Sequence, residues 1–211
     1  MWNPRSVLDI GCAKGFLVLA FRNIGIESHG VDISDYALSQ APDEVRPYLF
    51  RVDLDEERLP FGDQRFDLIT ALGVMPCLNS HVNAINEVSR VVRDRGIFLM
   101  TTVYRKVPLD KFRMNVRSKE YWVENLERHG FHFIRRVDGM ERFYSLAIKE
   151  LPTEPGSTIK TMCGKFVNRF PKLGPWMVMR YWESRWGILF FRSDKKGSSM
   201  TLQGSGKAHI G

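Results

Sequence analysis

The run Ser6-Val-Leu-Asp-Ile-Gly-Cys-Ala-Lys-Gly-Phe16 constrains this chain of 211 residues more than any other stretch. An apolar strand pattern breaks there into a turn with glycines at 11 and 15, and a helical pattern follows. Buried parallel strands are short and apolar. Val7, Leu8 and Ile10 leave Asp9 as the one charge at the strand's carboxyl end, where open α/β sheets hold their ligands. Gly11 and Gly15 let the backbone approach a ligand closely. Phe16, Leu17, Leu19, Ala20 and Phe21 then open a helix whose first N–H groups have no partner within the helix. A dinucleotide fingerprint requires Gly-x-Gly-x-x-Gly, and Ala13 stands where its middle glycine should be, which disfavours a pyrophosphate.

The pattern continues as a βαβ unit. Residues 27–32 read as a second strand, and Ser34 is placed to cap a helix over 35–40 that Pro42 closes. Asp32 falls 23 residues after Asp9, close to the spacing of about 20 at which an acid at the end of a second strand accepts ribose hydroxyls. The plainer alternative is an acid that caps the next helix. A short strand over 48–52 precedes Asp53 and a charged stretch in which Asp55 reads as solvated. Leu59-Pro-Phe61, Phe66-Asp67 and an apolar strand over 68–72 follow, with Asp67 read as fixing the strand entry. Asn79 or Ser80 can cap a helix through Val92 with Val82, Ile85, Val88 and Val92 as its apolar stripe, stopped by Asp94-Arg-Gly96. Residues 97–103 form the next strand, 118–129 a helix with Trp122 and Leu126 inward, and 131–137 and 144–149 two closing strands.

These residues resemble the class I S-adenosylmethionine-dependent methyltransferases, whose first motif is an acidic strand end followed by Gly-x-Gly-x-Gly. The Gly11-Cys-Ala-Lys-Gly-Phe-Leu17 variant is similar to one in the methyltransferase type 11 and 12 groups, several of which are glycan or natural-product enzymes. The resemblance covers residues 5–150. It implies an α/β fold: a Rossmann-like, seven-stranded, mostly parallel sheet flanked by helices, its last strand antiparallel. The implied cofactor is S-adenosyl-L-methionine. Carried over residue by residue, its site comprises Asp9, Gly11, Cys12, Ala13, Gly15 and Phe16 in the first loop, with Cys12 contacting through its backbone. Asp32 and Ile33 lie at the second strand end, Asp53 and Leu54 beside the adenine amino group, and Leu72 and Gly73 near the methionine portion.

A methyl on positive sulfur is already a good electrophile, so the protein has mainly to align an acceptor and exclude water. Relatives often carry Glu-x-x-Glu-His-Leu after the fourth strand. Here the matching positions are Gly73, Pro76, Cys77 and Leu78, so no base is carried over from them. His81 is a candidate base against the plainer reading of a surface histidine in a first helical turn. Tyr104 and Arg105 are candidates for acceptor contact after the fifth strand, and Arg117 and Tyr121 for the acceptor side or for capping and packing. No histidine–carboxylate cluster has ligand spacing, so no metal is expected. The reading is methyl transfer to an oxygen, in preference to a nitrogen, of a small-molecule or glycan-type acceptor. A non-catalytic module that binds cofactor or a partner competes with it, and a nicotinamide oxidoreductase stands far behind.

Composition agrees with one α/β domain, at 44% hydrophobic and 26% charged residues. The net charge of +7 lies entirely in residues 151–211, with 10 Lys+Arg against 3 Asp+Glu, while residues 1–150 balance at 21 and 21. A neutral catalytic region argues against nucleic acid as acceptor. Cys12, Cys77 and Cys163 suit neither a disulfide framework nor zinc, no signal peptide opens the chain, and no stretch is apolar enough to span a bilayer. A cytoplasmic setting is expected. Only residues 1–5 precede the first strand, so either the C-terminal extension covers the site, or the site is open, or the sequence is an incomplete gene product. That extension, 151–211, is basic and aromatic, with Met179, Trp182, Trp186 and Leu189 sharing a face if helical. The face packs on the domain or on a second copy in a homodimer, or residues 157–192 contact a membrane surface peripherally. Residues 193–211 read as disordered.

Overall fold

The computed structural model describes residues 3–102, 116–134 and 188–195. Its sheet contains β1 (Ser6–Ile10), β2 (Glu27–Asp32), β3 (Leu49–Arg51), β4 (Phe66–Ala71), β5 (Val92–Thr101), β6 (Phe131–Ile134) and β7 (Ile188–Ser193). The helices are α1 (Phe16–Asn23), α2 (Asp35–Ser39), α3 (His81–Val91) and α4 (Lys119–Glu127). The strand order is β3-β2-β1-β4-β5-β7-β6. β1 to β5 run parallel, and β7 pairs antiparallel with both β5 and β6. This is the Rossmann-like sheet expected, with its order reversing between β1 and β4, the switch point where such sheets bind ligands.

Strand alternation divides the core into two faces. Leu8, Ile10, Ile69, Ala71, Phe98 and Met100 pack on one side with Ile85 and Val88 of α3 and Trp122 and Leu126 of α4. Val7, Leu68, Ile97 and Leu99 pack on the other with Phe21 of α1. Two helices begin at serine caps: Ser34 Oγ accepts the Ala37 N–H at 3.1 Å, and Ser118 Oγ accepts that of Tyr121 at 3.2 Å. Ser80 precedes α3 without a side-chain cap. Asp55 instead takes the N–H groups of Asn79 and Ser80, just before the helix, at 3.1 and 2.9 Å. It therefore ties the loop after β3 to the start of α3 and is not a solvated charge.

Three further expectations need correction. Val82 is 56% exposed, and the buried stripe of α3 is Ala84, Ile85, Val88 and Val91, one position round the helix. The antiparallel strand between β5 and β6 comes from Ile188–Ser193, inside the segment read as an extension. Leu189 is therefore in a strand and shares no helical face. A short apolar run buried on both sides has no period that separates strand from helix: Leu189 and Phe191 enter one core face and Phe190 the other. Ser193, read as the start of disorder, is the buried end of that strand. Residues 144–149 and 151–187, with the tryptophan-rich face, lie outside the described residues.

Glu87 and Arg90 of α3 hold the backbone of Leu59-Pro-Phe61 in place. Glu87 Oε2 accepts the Leu59 N–H at 2.8 Å, and Arg90 donates to the Leu59 and Phe61 carbonyls at 3.0 and 2.7 Å while holding Glu87 at 2.6 Å. Leu59 is buried beneath them. The Glu87 and Arg90 side chains are 9% and 15% exposed, so removing Arg90 leaves the Glu87 carboxylate only the Leu59 N–H and the more distant, exposed Arg58. Arg90→Ala is expected to lower the urea-unfolding free energy by about 3 kcal/mol, the usual cost of breaking a buried pair from one side; a loss under 0.5 kcal/mol would refute this account of the motif.

Candidate active site

The carboxyl ends of β1, β2 and β4 meet in register, with Ile10 opposite both Val31 and Ala71. The residues just beyond this rung are Gly11, Asp32 and Leu72. Gly11 has φ +72, and a Cβ there would lie 2.1 Å from Val74 Cγ2. The glycine thus lets the loop after β4 close over the loop after β1. Gly15, at φ +71, makes the same left-handed step into α1. Ala13 also sits at φ +48. A glycine-type conformation is thereby kept at the position where the glycine itself is missing, at the cost in backbone energy that a Cβ brings there.

Asp32 holds this loop. Its Oδ2 accepts the Ala13 N–H at 2.8 Å and its Oδ1 that of Ser34 at 2.9 Å. Each carboxylate oxygen has a second lone pair, and the residue is half-buried, so it can fix both loops and still accept from a ligand. The Gly11 and Cys12 N–H groups both donate to the Val31 carbonyl, and that of Gly15 to Cys12. With Ala13 bound to Asp32, four amides of the loop are satisfied internally. They form no open nest of donors for a pyrophosphate.

Asp9 lies beneath the loop, 5% exposed. Thr70 Oγ1 donates to its Oδ1 at 2.6 Å. Burial pushes its pKa up to about 7, opposed by the Thr70 hydrogen bond and assisted by the nearby charge of Asp32. Asp9 therefore titrates near neutrality inside the fold, while the unfolded chain has an ordinary carboxylate. Cys12 is buried against Gly30, where an added Cβ would come within 2.7 Å of its Sγ. Burial, then Asp9 and Asp32, raise its pKa, so the thiol stays protonated and its contribution to a ligand site is through the backbone.

Of the remaining expected cofactor residues, Phe16 is half-buried at the start of α1, and Ile33 and Leu72 are 56% and 40% exposed. Such apolar side chains at a carboxyl edge suit a ligand's apolar faces. Gly73 has φ +82, and its N–H donates to Thr101 Oγ1 at 2.7 Å, fixing the loop after β4 to the end of β5. Asp53 is brought beside Asp32 by the Val52 N–H bond to the Asp32 carbonyl, and its Oδ1 accepts from Asp55. Leu54 turns its side chain into the core and its carbonyl accepts from Asn83, which leaves its N–H as the group it can offer. Asp67 has the structural role expected, its Oδ2 taking the Arg5 and Ser6 N–H groups at 2.8 and 3.1 Å.

On the acceptor side, His81 is not a surface residue: it is 8% exposed, and its Nε2 lies 2.6 Å from the Tyr121 hydroxyl. Two candidates 40 residues apart are thereby joined. Arg117 lies over the Tyr121 ring at 5.1 Å. Tyr104 and Arg105 lie outside the described residues. Thr70, Thr101 and Thr102 were missed; the available signal was a lone hydroxyl at 70 in an apolar strand and a pair closing another. Among the described residues no group of three His, Cys, Asp or Glu is placed to hold a metal ion, and no helix is long and apolar enough to cross a membrane.

A glycine-shaped loop, an acid at the end of the second strand and a reversal of strand order between them define a Rossmann-like nucleotide-cofactor domain. Residues 8–100 match the family described as "Methyltransferase domain". The chain is 35% identical over 100 residues to malonyl-[acyl-carrier protein] O-methyltransferase of Pseudescherichia vulneris, covering 47% of this chain and 39% of that protein. It is 27% identical over 109 residues to a ubiquinone biosynthesis O-methyltransferase of Alkalilimnicola ehrlichii, covering 48% and 42%. These matches span less than half of either relative. An O-methyltransferase from a trans-AT PKS multienzyme of Brevibacillus brevis, solved with S-adenosyl-L-homocysteine, superposes with TM-score 0.58 at 18% identity, over 92% of this chain and 68% of that one. Residues 8–100 thus match a class I methyltransferase domain, a family whose cofactor is S-adenosyl-L-methionine, and the superposed structure shares the fold.

Because the folded state binds the Asp9 proton more tightly than the unfolded one, stability should fall as pH rises from about 4 to about 7 and then level off. Asp9→Asn keeps a partner for Thr70 without the buried charge. It should be more stable than the unaltered chain by a few kcal/mol at pH 8 and nearly equal to it at pH 4, measured by thermal or urea unfolding. Equal stabilities at pH 8 would count against a buried, titrating Asp9.

Proposed function

We propose that this chain transfers the methyl group of S-adenosyl-L-methionine to an oxygen of a small-molecule or glycan-type acceptor. The observation that carries the reading is the loop from Gly11 to Gly15, closed on Asp32 at the carboxyl edge. Asp32 has lone pairs left for ribose hydroxyls, Asp53 stands beside it to accept from the adenine amino group, the Leu54 N–H can donate to an adenine ring nitrogen, and Ile33 and Leu72 offer apolar surface. Asp9, Gly11, Cys12, Ala13, Gly15, Phe16 and Gly73 make up the rest of the cradle. A side chain at Gly11 is barred by Val74, so the loop after β4 packs directly on the loop after β1 and closes one wall of the cradle.

When bound, the cofactor supplies a methyl carbon on positively charged sulfur, an electrophile that needs no further activation. The work left to the protein is to bind, to orient an acceptor oxygen in line with that carbon, and to exclude water. The O-methyltransferase names of both relatives support oxygen as the receiving atom. Residues 1–150 are proposed as the catalytic unit together with β7, whose residues complete its sheet.

Calorimetry with S-adenosyl-L-methionine and its demethylated product tests the cofactor half. Asp32→Ala removes both the ribose partner and the tie to Ala13, and should weaken binding roughly 100-fold, as expected for two hydrogen bonds to a charged group. Unchanged affinity would remove Asp32 from the site. Binding followed by methyl transfer across a panel of hydroxyl acceptors supports the enzyme; tight binding with no turnover on any of them supports a non-catalytic cofactor-binding module.

A further inference from the structure

His81 and Tyr121 are the feature that the cofactor reading leaves unused. His81 is the first residue of α3, and Tyr121 lies in the first turn of α4. Both stand at the carboxyl edge of the sheet. α3 starts beyond the loop that Gly73 opens, and the first turn of α4 is tied to the end of β5 by the Trp122 indole N–H, which donates to Thr102 Oγ1 at 3.0 Å. Thr101, one residue earlier, holds Gly73 itself. The Trp122 ring also stands edge-on to His81, centres 5.1 Å apart, and fixes the imidazole from one side. A short chain of contacts thus joins the cofactor loop to the pair.

The two members differ in access. Tyr121 is half-buried and His81 is 8% exposed behind it. With the phenol O–H donating, His81 Nε2 accepts and the imidazole proton sits on Nδ1, which is buried with no hydrogen-bond partner among the described residues. A buried polar group left unmade costs about 1–3 kcal/mol, and such exceptions call for a reason. Burial, then the charges of Arg117 and His129, lower the His81 pKa. Among the described residues the groups facing it, Tyr121, Arg117 and His129, include no acid, so the imidazole is held neutral, and the unprotonated Nε2 stands at hydrogen-bond distance from Tyr121 Oη.

We propose that Tyr121, backed by His81, takes the proton from the acceptor, and that the acceptor is a phenolic hydroxyl. The inference rests on the methyl-transfer reading and narrows its acceptor. As the acceptor oxygen forms its bond to the methyl carbon, the carbon–sulfur bond breaks with its electron pair left on sulfur. The acceptor's proton passes to Tyr121 Oη, and the proton already on Oη passes to His81 Nε2. Tyr121 is then the catalytic residue, and His81 a positioning residue that acts through it. An ionised carboxylate acceptor needs no base, and an aliphatic sugar hydroxyl is too weak an acid for an imidazole–phenol pair. A phenol, with a pKa of about 10, lies within its reach.

The test uses the full chain with S-adenosyl-L-methionine and two probes, phenol and 4-nitrophenol, the latter largely ionised at pH 8. Tyr121→Phe should lower the ratio of phenol to 4-nitrophenol turnover by a factor on the order of 100, the usual contribution of a positioned base. His81→Gln should lower the same ratio, with the fall in kcat rather than KM, and calorimetric binding of S-adenosyl-L-homocysteine should be unchanged in both. Independently of turnover, the imidazole NMR resonances of His81 should titrate at a different pH in Tyr121→Phe, and in the unaltered chain phenol turnover should persist below the ordinary imidazole pKa. Equal losses on both probes, no loss on phenol, an unmoved His81 titration, or no transfer to either probe by a chain that binds cofactor would each overturn the proposal. Failure of the unaltered chain to bind S-adenosyl-L-homocysteine would instead overturn the cofactor reading beneath it.

Discussion

The end of β2 is the point on which the rest of the site depends. Its last two residues do four things at once: the Val31 carbonyl takes the Gly11 and Cys12 N–H groups, and the Asp32 carboxylate takes those of Ala13 and Ser34. Hydrogen bonds to a charged acceptor are worth more than neutral ones, and here both are backbone donors from different loops. The turn after β1 therefore has its shape because β2 holds it. The left-handed conformation of Ala13 is affordable in that setting, since a local strain persists where neighbouring contacts over-determine it.

Around that point the fold is organised by side chains that reach across the sequence to backbone groups. Asp67 gathers the amides before β1, Asp55 those before α3, and Glu87 with Arg90 the turn at Leu59 and Phe61. Each of these backbone segments is thus held by a charge that belongs to another element. A site built this way places its ligand contacts on rigid neighbours even though the contacts are themselves in loops.

Strands β1 and β2, the cap at Ser34 and the order of elements through β5 were legible because they obey local rules: apolar runs, turn residues and cap spacing. Asp32 was legible because its distance from Asp9 reports a βαβ unit. Asp55 was not, since a carboxylate in an acidic stretch looks the same whether it faces water or two amides 24 residues on. Val82 misled because a helix face can be misread by one step when valines flank it on either side. The identity of β7 was hidden for a different reason. Leu189, Phe190 and Phe191 are apolar on both faces, and only a partner strand distinguishes them from one turn of a helix. His81 and Tyr121 were each visible as candidates, but their bond joins α3 to α4, and no spacing along the chain encodes it.

That β7 lies between β5 and β6 bears on how the chain folds. Among the described residues β6 pairs only with β7, so residues 131–134 join the sheet through residues 188–193. Pairing between β5 and β7 joins positions about ninety residues apart, the kind of non-local contact that slows folding. During synthesis the first five strands can assemble with the loop that Asp32 holds before β7 pairs with the edge of β5. The cofactor half is in this sense an early structure and the closing half a late one, and the interval between them is when an unpaired sheet edge is exposed to other chains.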